Sequence, residues 1–204
     1  KDGDKTEKPY RPKPTGASER VRKSAAAGPK RGPKARTERD PNETAWWDSL
    51  ELIGDDAGYY EPLGARHAAF FSDQGPTLLV SFERAEDIRA SAADQLPMAF
   101  GLTKPQGWSS LTLICDGDTW YRDPAVYAYF DRLVDDAFFE DFDRVVFYGA
   151  GACGYAAAAF SVAAPGATVI GLLNRFAPVG HLALGPAGVN RTVSSSQNNH
   201  LLSF

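Results

Sequence analysis

Three short apolar runs set the frame of this chain. Thr77–Phe82 (TLLVSF), Leu111–Cys115 (LTLIC) and Val145–Tyr148 (VVFY) are too short for helices and rich in β-branched or aromatic residues. Such runs read as strands buried on both faces, the habit of a parallel sheet. Between the second and third, the period changes. Val126, Phe130, Leu133 and Ala137 recur at helical spacing, with Asp131, Arg132, Asp135 and Asp136 on the other face. Asp123 before Pro124 is the start signal: an N-cap carboxylate, then a proline at the first helical position. Glu86–Ala93 predicts a weaker helix, ended by Pro97. Trp46, Trp47, Leu50, Leu52 and Ile53 predict a short amphipathic segment before Gly54. Tyr59–Phe71 reads as a strand or loop with aromatic anchors. Strands alternating with helices predict an α/β fold of three layers around a mainly parallel sheet. No internal repeat is present.

The densest signal is Asp143–Gly171, DRVVFYGAGACGYAAAAFSVAAPGATVIG. It reads as strand, glycine turn, helix and strand. Tyr155–Ala164 is Ala-rich and apolar all round, which predicts a buried helix. Pro165 and Gly166 stop it, and Ala167–Ile170 begins the next strand. A turn of this kind stands at the carboxyl edge of a sheet, where α/β proteins keep their sites.

Two motifs fit the turn. In the nucleophile elbow, G-x-S-x-G, Gly149 is the first glycine, Gly151 takes the nucleophile position and Cys153 the last small position. In G-x-G-x-x-G, Gly149, Gly151 and Gly154 match literally, and the glycines would let a dinucleotide pyrophosphate approach the helix. That second motif wants an acidic residue about 20 positions on, for the ribose hydroxyls. Here Leu172, Leu173, Asn174 and Arg175 stand there, and thirty residues remain after Asn174. Arg175 could meet a 2′-phosphate, but the Tyr-Ala-Ala-Ala continuation argues against a dinucleotide site.

The string Tyr148–Ala158, YGAGACGYAAA, resembles the elbow of a bacterial group of α/β-hydrolase-like proteins, whose usual form is close to YGSSMGGYAAL. The resemblance extends back through Trp120–Leu133, WYRDPAVYAYFDRL, and covers roughly residues 59–170. Some chains of this type carry the label phosphoadenosine phosphosulfate reductase. That enzyme works through a cysteine in a C-terminal Glu-Cys-Gly motif, which this chain lacks. The resemblance implies an α/β-hydrolase-like core.

The chemistry of that fold is missing in two independent places. Gly151 has no side chain, so no nucleophile stands at the elbow. The acid and histidine of the triad should follow the nucleophile, yet no Asp or Glu occurs after Asp143, leaving His181 and His200 without an orienting acid. Cys153 is the candidate replacement nucleophile, though it would shift the elbow and put Tyr155 where a small residue is needed. Otherwise it is a small buried hydrophobe. The turn formed by Gly149, Gly151, Ala152 and Gly154 retains backbone N–H groups that could hold a small anion.

Asp116-Gly117-Asp118 follows the LTLIC run. Two carboxylates at a strand end can hold Mg²⁺ or Mn²⁺ against a phosphate. They also suit an ordinary polar turn, and Thr119-Trp120 follows where a phosphatase signature has Gly-Thr. Arg66-His67 reads as a polar loop pair at the sheet edge, with nothing in the sequence to join the histidine to an acid.

Charge divides the chain. Residues 1–40 hold 13 Lys and Arg against 6 Asp and Glu, whereas the remainder holds 9 against 20. Residues 1–44 have one aromatic, Tyr10, and too little apolar surface to offset ordering entropy, so they read as a disordered basic leader. Contact of residues 1–40 with nucleic acid or an anionic surface is the functional reading, and a solvated linker the plainer one. No apolar run follows the leader as a secretory signal requires, and none reaches membrane-span length. Cys115 and Cys153 make no disulfide framework, which suits a reducing cytoplasm. The chain begins with Lys, as an incomplete reading frame would, and residues 171–204 read as an atypical, frame-shifted tail that leaves the sheet incomplete.

The expectation is therefore three segments: leader 1–44, core 45–170 and tail 171–204. The function expected is a binding or accessory module without catalysis or cofactor, its partner a small molecule or anion. Cys153-dependent acyl transfer, metal-assisted phosphate chemistry at Asp116 and Asp118, and dinucleotide binding are the alternatives.

Overall fold

A computed structural model describes residues 41–91, 94–172 and 191–192. The leader up to residue 40 and most of the tail, with Arg175, His181 and His200, lie outside the described residues.

Helix α1 spans Pro41–Ala57. Its start is favoured by Pro41 and by Glu43 in the first turn, where a carboxylate meets the positive end of the helix dipole. Pro41–Thr44, read as the end of the leader, form the first turn of this helix. Trp46, Leu50 and Gly54 form one i, i+4 ridge, buried with Trp47. Gly54 is required by close approach: a Cβ there would meet Tyr60 Cβ at 2.9 Å. The segment read as one strand or loop is a hairpin, β1 (Gly58–Leu63) and β2 (His67–Ser72), paired antiparallel. The turn between them uses Gly64 at φ +66°.

Strand β3 (Thr77–Arg84) leads into α2 (Ala85–Ser91), and α3 (Met98–Thr103) precedes β4 (Ser109–Cys115). Helix α4 (Pro124–Asp135) begins as read, with Asp123 Oδ1 accepting from the Ala125 N–H at 2.8 Å. Val126, Tyr129, Phe130 and Leu133 are buried. Ala137 is outside the helix, in a left-handed conformation at φ 54° that opens the turn Phe138–Asp141. Then come β5 (Arg144–Ala150), α5 (Ala152–Phe160) and β6 (Thr168–Leu172), and β7 is the pair Arg191–Thr192.

The sheet order is β1-β2-β4-β3-β5-β6-β7. The expected parallel trio is present: β3 pairs parallel with both β4 and β5, and β5 with β6. Antiparallel pairing is confined to β1, β2 and β4. The result is a mixed α/β fold. Successive strand residues alternate between two cores. Tyr59, Phe71, Val80, Leu113 and Phe147 face α4 and α5, whereas Tyr60, Phe70 and Ile114 meet Trp46, Trp47 and Leu50 of α1 and Phe100 of α3. Helix α5 is not buried all round. Tyr155 and, in the turn after it, Val162 are exposed. Among the described residues, no helix is long and apolar enough to cross a membrane.

Candidate functional site

The carboxyl ends of β3, β4 and β5 and the start of β2 gather most of the residues singled out in the sequence. At the head of β5, the chain turns sharply into α5. Gly149 cannot be anything larger, since a Cβ would strike the Cys153 backbone carbonyl and lie 2.8 Å from Gly154 N. Gly151 has φ 58° and ψ −125°, and a Cβ built there meets nothing within 4 Å. The turn is thus set by backbone conformation, with open space where a side chain would project. The Gly151 carbonyl accepts from the Tyr155 N–H at 3.2 Å, closing the first turn of the helix.

Cys153 points the other way. It is buried, with its sulfur 3.5 Å from the Tyr121 hydroxyl. Burial pushes the thiol up to about 11, so at neutral pH it is protonated and lacks the thiolate that reacts. Gly154 is buried beside it, and Ala152 is half-buried.

Tyr121 organises the base of this edge. It and Trp120 are consecutive non-glycine residues with positive φ, at 56° and 54°. The left-handed pair turns the tyrosine inward, where 1% of it is exposed, and leaves the tryptophan outside. The Tyr121 hydroxyl donates to the Glu83 carbonyl at 2.9 Å, with the Leu113 carbonyl at 3.3 Å. Its proton so engaged, the hydroxyl accepts from the Cys153 thiol. The Glu83 carboxylate itself is tied down by the Met98 N–H at 2.8 Å, the Ala99 N–H at 3.1 Å and Ser81 Oγ at 2.8 Å. Burial nevertheless raises its pKa.

Asp116 and Asp118 form a turn held by two arginines. Arg66 Nε donates to the Asp116 carbonyl at 2.9 Å, and the Asp116 N–H donates to the Arg66 carbonyl at 2.8 Å. Arg66 Nη2 fills the space a Cβ on Gly117 would need, and Gly117 has φ +71°. Asp118 lies 3.5 Å from Arg84, which also pairs closely with Glu86. Among the described residues, no group of three or more His, Cys, Asp or Glu is placed to hold a metal ion.

His67 is the residue whose surroundings the sequence hid. It is not a loop group: it opens β2 opposite Cys115 and is buried. Its Nε2 lies 2.7 Å from Thr119 Oγ1, and its Nδ1 lies 3.7 Å from Asp123 Oδ2. Nδ1 makes no hydrogen bond, and at 3.7 Å the carboxylate is the ion-pair neighbour of a protonated ring. Burial lowers the imidazole pKa, and Asp123 opposes that shift. Hydroxyl, imidazole and carboxylate follow in the order that activates an oxygen nucleophile, although the hydrogen bond from ring to carboxylate is not formed. It cannot serve the glycine turn, because β2 is three strand positions from β5, about 14 Å. Asp123 and Thr119 escaped the sequence reading as partners of His67. The one local signal, Asp123-Pro124, speaks of a helix cap.

Compared with known families and with curated proteins, the chain matches none.

Proposed function

We propose that this chain is a non-catalytic binding or accessory module of the α/β-hydrolase-like kind, whose elbow has lost its nucleophile. The observation that carries this reading is Gly151: the strained strand-to-helix turn is there, the space is there, and no reactive atom occupies it. The buried, protonated Cys153 offers no substitute. What the turn offers a ligand is backbone N–H groups at the head of a nine-residue helix, which suits a small anion.

The test is hydrolysis of p-nitrophenyl esters by wild type, Cys153→Ala and Gly151→Ser, alongside calorimetric titration with sulfate and phosphate. Background rates are expected from wild type and Cys153→Ala. Gly151→Ser gains little, because His67 is three strands away. Wild-type turnover abolished by Cys153→Ala would overturn this reading and make the thiol a nucleophile.

The Thr119–His67–Asp123 arrangement supports a second reading, acyl transfer through Thr119. Its mark would be ester turnover that survives Cys153→Ala and is lost in both Thr119→Ala and His67→Gln.

A further inference from the structure

We infer that the groove between α4 and α5 binds a small planar aromatic molecule carrying an anionic group. The groove encloses about 370 Å³, within the range of small-molecule sites. Its floor is Phe130 and Phe160, stacked with ring centroids 4.4 Å apart. Its walls are three aromatic side chains that the core does not use: Trp120, Tyr127 and Tyr155 are 43%, 48% and 39% exposed. Among the described residues outside the groove, most large aromatics are buried, as Phe70, Phe71, Phe82 and Phe147 are, with Trp108 the exposed exception. Three exposed rings around one depression are the kind of patch that marks a binding surface.

The rings are arranged to receive another ring. Trp120 meets Tyr155 edge to face at 6.0 Å, and Tyr127 lies 5.6 Å from Phe160. Exposed aromatic faces stack favourably on planar ligands. The charge sets the second half of the ligand. The Arg122 guanidinium sits over the Tyr155 ring, 5.7 Å from its centroid, at the end of the groove where Trp120 and Tyr155 meet. The groove's carboxylate, Asp131, is one helical turn further along α4 from Tyr127. An anionic substituent therefore belongs at the Arg122 end, with the ring laid between Trp120 and Tyr127.

The probe is 1-naphthyl phosphate, titrated into the full chain by tryptophan fluorescence and calorimetry. 1-Naphthol and inorganic phosphate are the comparison ligands. Binding is expected for naphthyl phosphate. It should weaken about tenfold or more, roughly 1.4 kcal/mol, in Trp120→Ala and in Arg122→Ala. 1-Naphthol should lose the Arg122 dependence and keep the Trp120 dependence. Trp108→Ala, at an exposed aromatic outside the groove, should change nothing. Each variant is checked for native circular dichroism and melting. Inorganic phosphate bound at the glycine turn would be indifferent to Trp120→Ala, so failure there and failure here are separable. The inference is overturned if folded wild type does not bind naphthyl phosphate, or binds it equally well as Trp120→Ala. It is also overturned if the groove is filled by a second copy, seen as self-association that Tyr127→Ala abolishes.

Discussion

The Tyr121 hydroxyl lies 3.5 Å from Cys153 Sγ, joining the loop after β4 to the first turn of α5. Both groups are buried, and burial pushes the thiol up to about 11 and the phenol well above its usual value. In the folded protein Cys153 should therefore resist iodoacetamide at pH 7–8. Alkylation should appear as the pH nears 11 or on addition of denaturant. Tyr121→Phe removes a donor from the Glu83 carbonyl and an acceptor from the thiol, costing about 1–3 kcal/mol in a urea melt. Rapid alkylation of native Cys153 at neutral pH would contradict this environment.

Gly149→Ala and Gly151→Ala should differ sharply. A methyl at 149 collides with the Cys153 carbonyl inside the packed junction of β5 and α5, so a loss of about 3 kcal/mol or more is expected. At 151 nothing is struck, and only the backbone conformation is penalised, at about 1–3 kcal/mol. Paired chemical melts measure both. Equal losses would mean that the turn is not shaped as described.

His67 should make stability depend on pH. Its pKa is lowered in the folded state by burial. Between the folded value and the ordinary value near 6.5, the unfolded chain binds the extra proton. The histidine's contribution is therefore complete above that ordinary value, declines as pH falls below it, and levels off beneath the folded value. His67→Gln should flatten this part of the stability profile. Asp123→Ala should lower the folded pKa further and lose the α4 cap, about 1 kcal/mol. An imidazole titrating above 6.5 by NMR would reverse the sign.

Millimolar Mg²⁺ or Mn²⁺ should leave the melting temperature unchanged, because Asp118 faces Arg84 and the turn backbone is bound to Arg66. A saturable rise that Asp118→Asn removes would restore the metal reading of Asp116 and Asp118.

The parallel strands β3, β4 and β5 were legible in the sequence because unbroken apolar runs have few other homes. So was the glycine turn, where spacing alone marks the strand-to-helix change. Helix α1 was under-read: Asp48 and Asp55 interrupt its apolar residues, yet on a helix they lie outside while Trp46 and Leu50 stay in register. The β1–β2 hairpin was hidden because both strands are aromatic and small-residue rich across Gly64. His67 and Asp123 stand 56 positions apart in the chain and meet only because β2 runs antiparallel beside β4. No local pattern carries that pairing. The outward face of α5 was misjudged for a related reason: composition says apolar, whereas only packing says which apolar residues find a neighbour.

The consecutive left-handed residues Trp120 and Tyr121 have a consequence for affinity. Tyr121 is fixed from several sides by the core, and its neighbour shares the same peptide unit. The backbone at Trp120 is therefore held together with Tyr121, while the indole keeps its own side-chain torsions and rests edge to face on Tyr155. The backbone freedom of that residue was given up when the chain folded. A molecule arriving at the groove would meet an indole whose backbone is already placed, so that only its two side-chain torsions remain to be ordered.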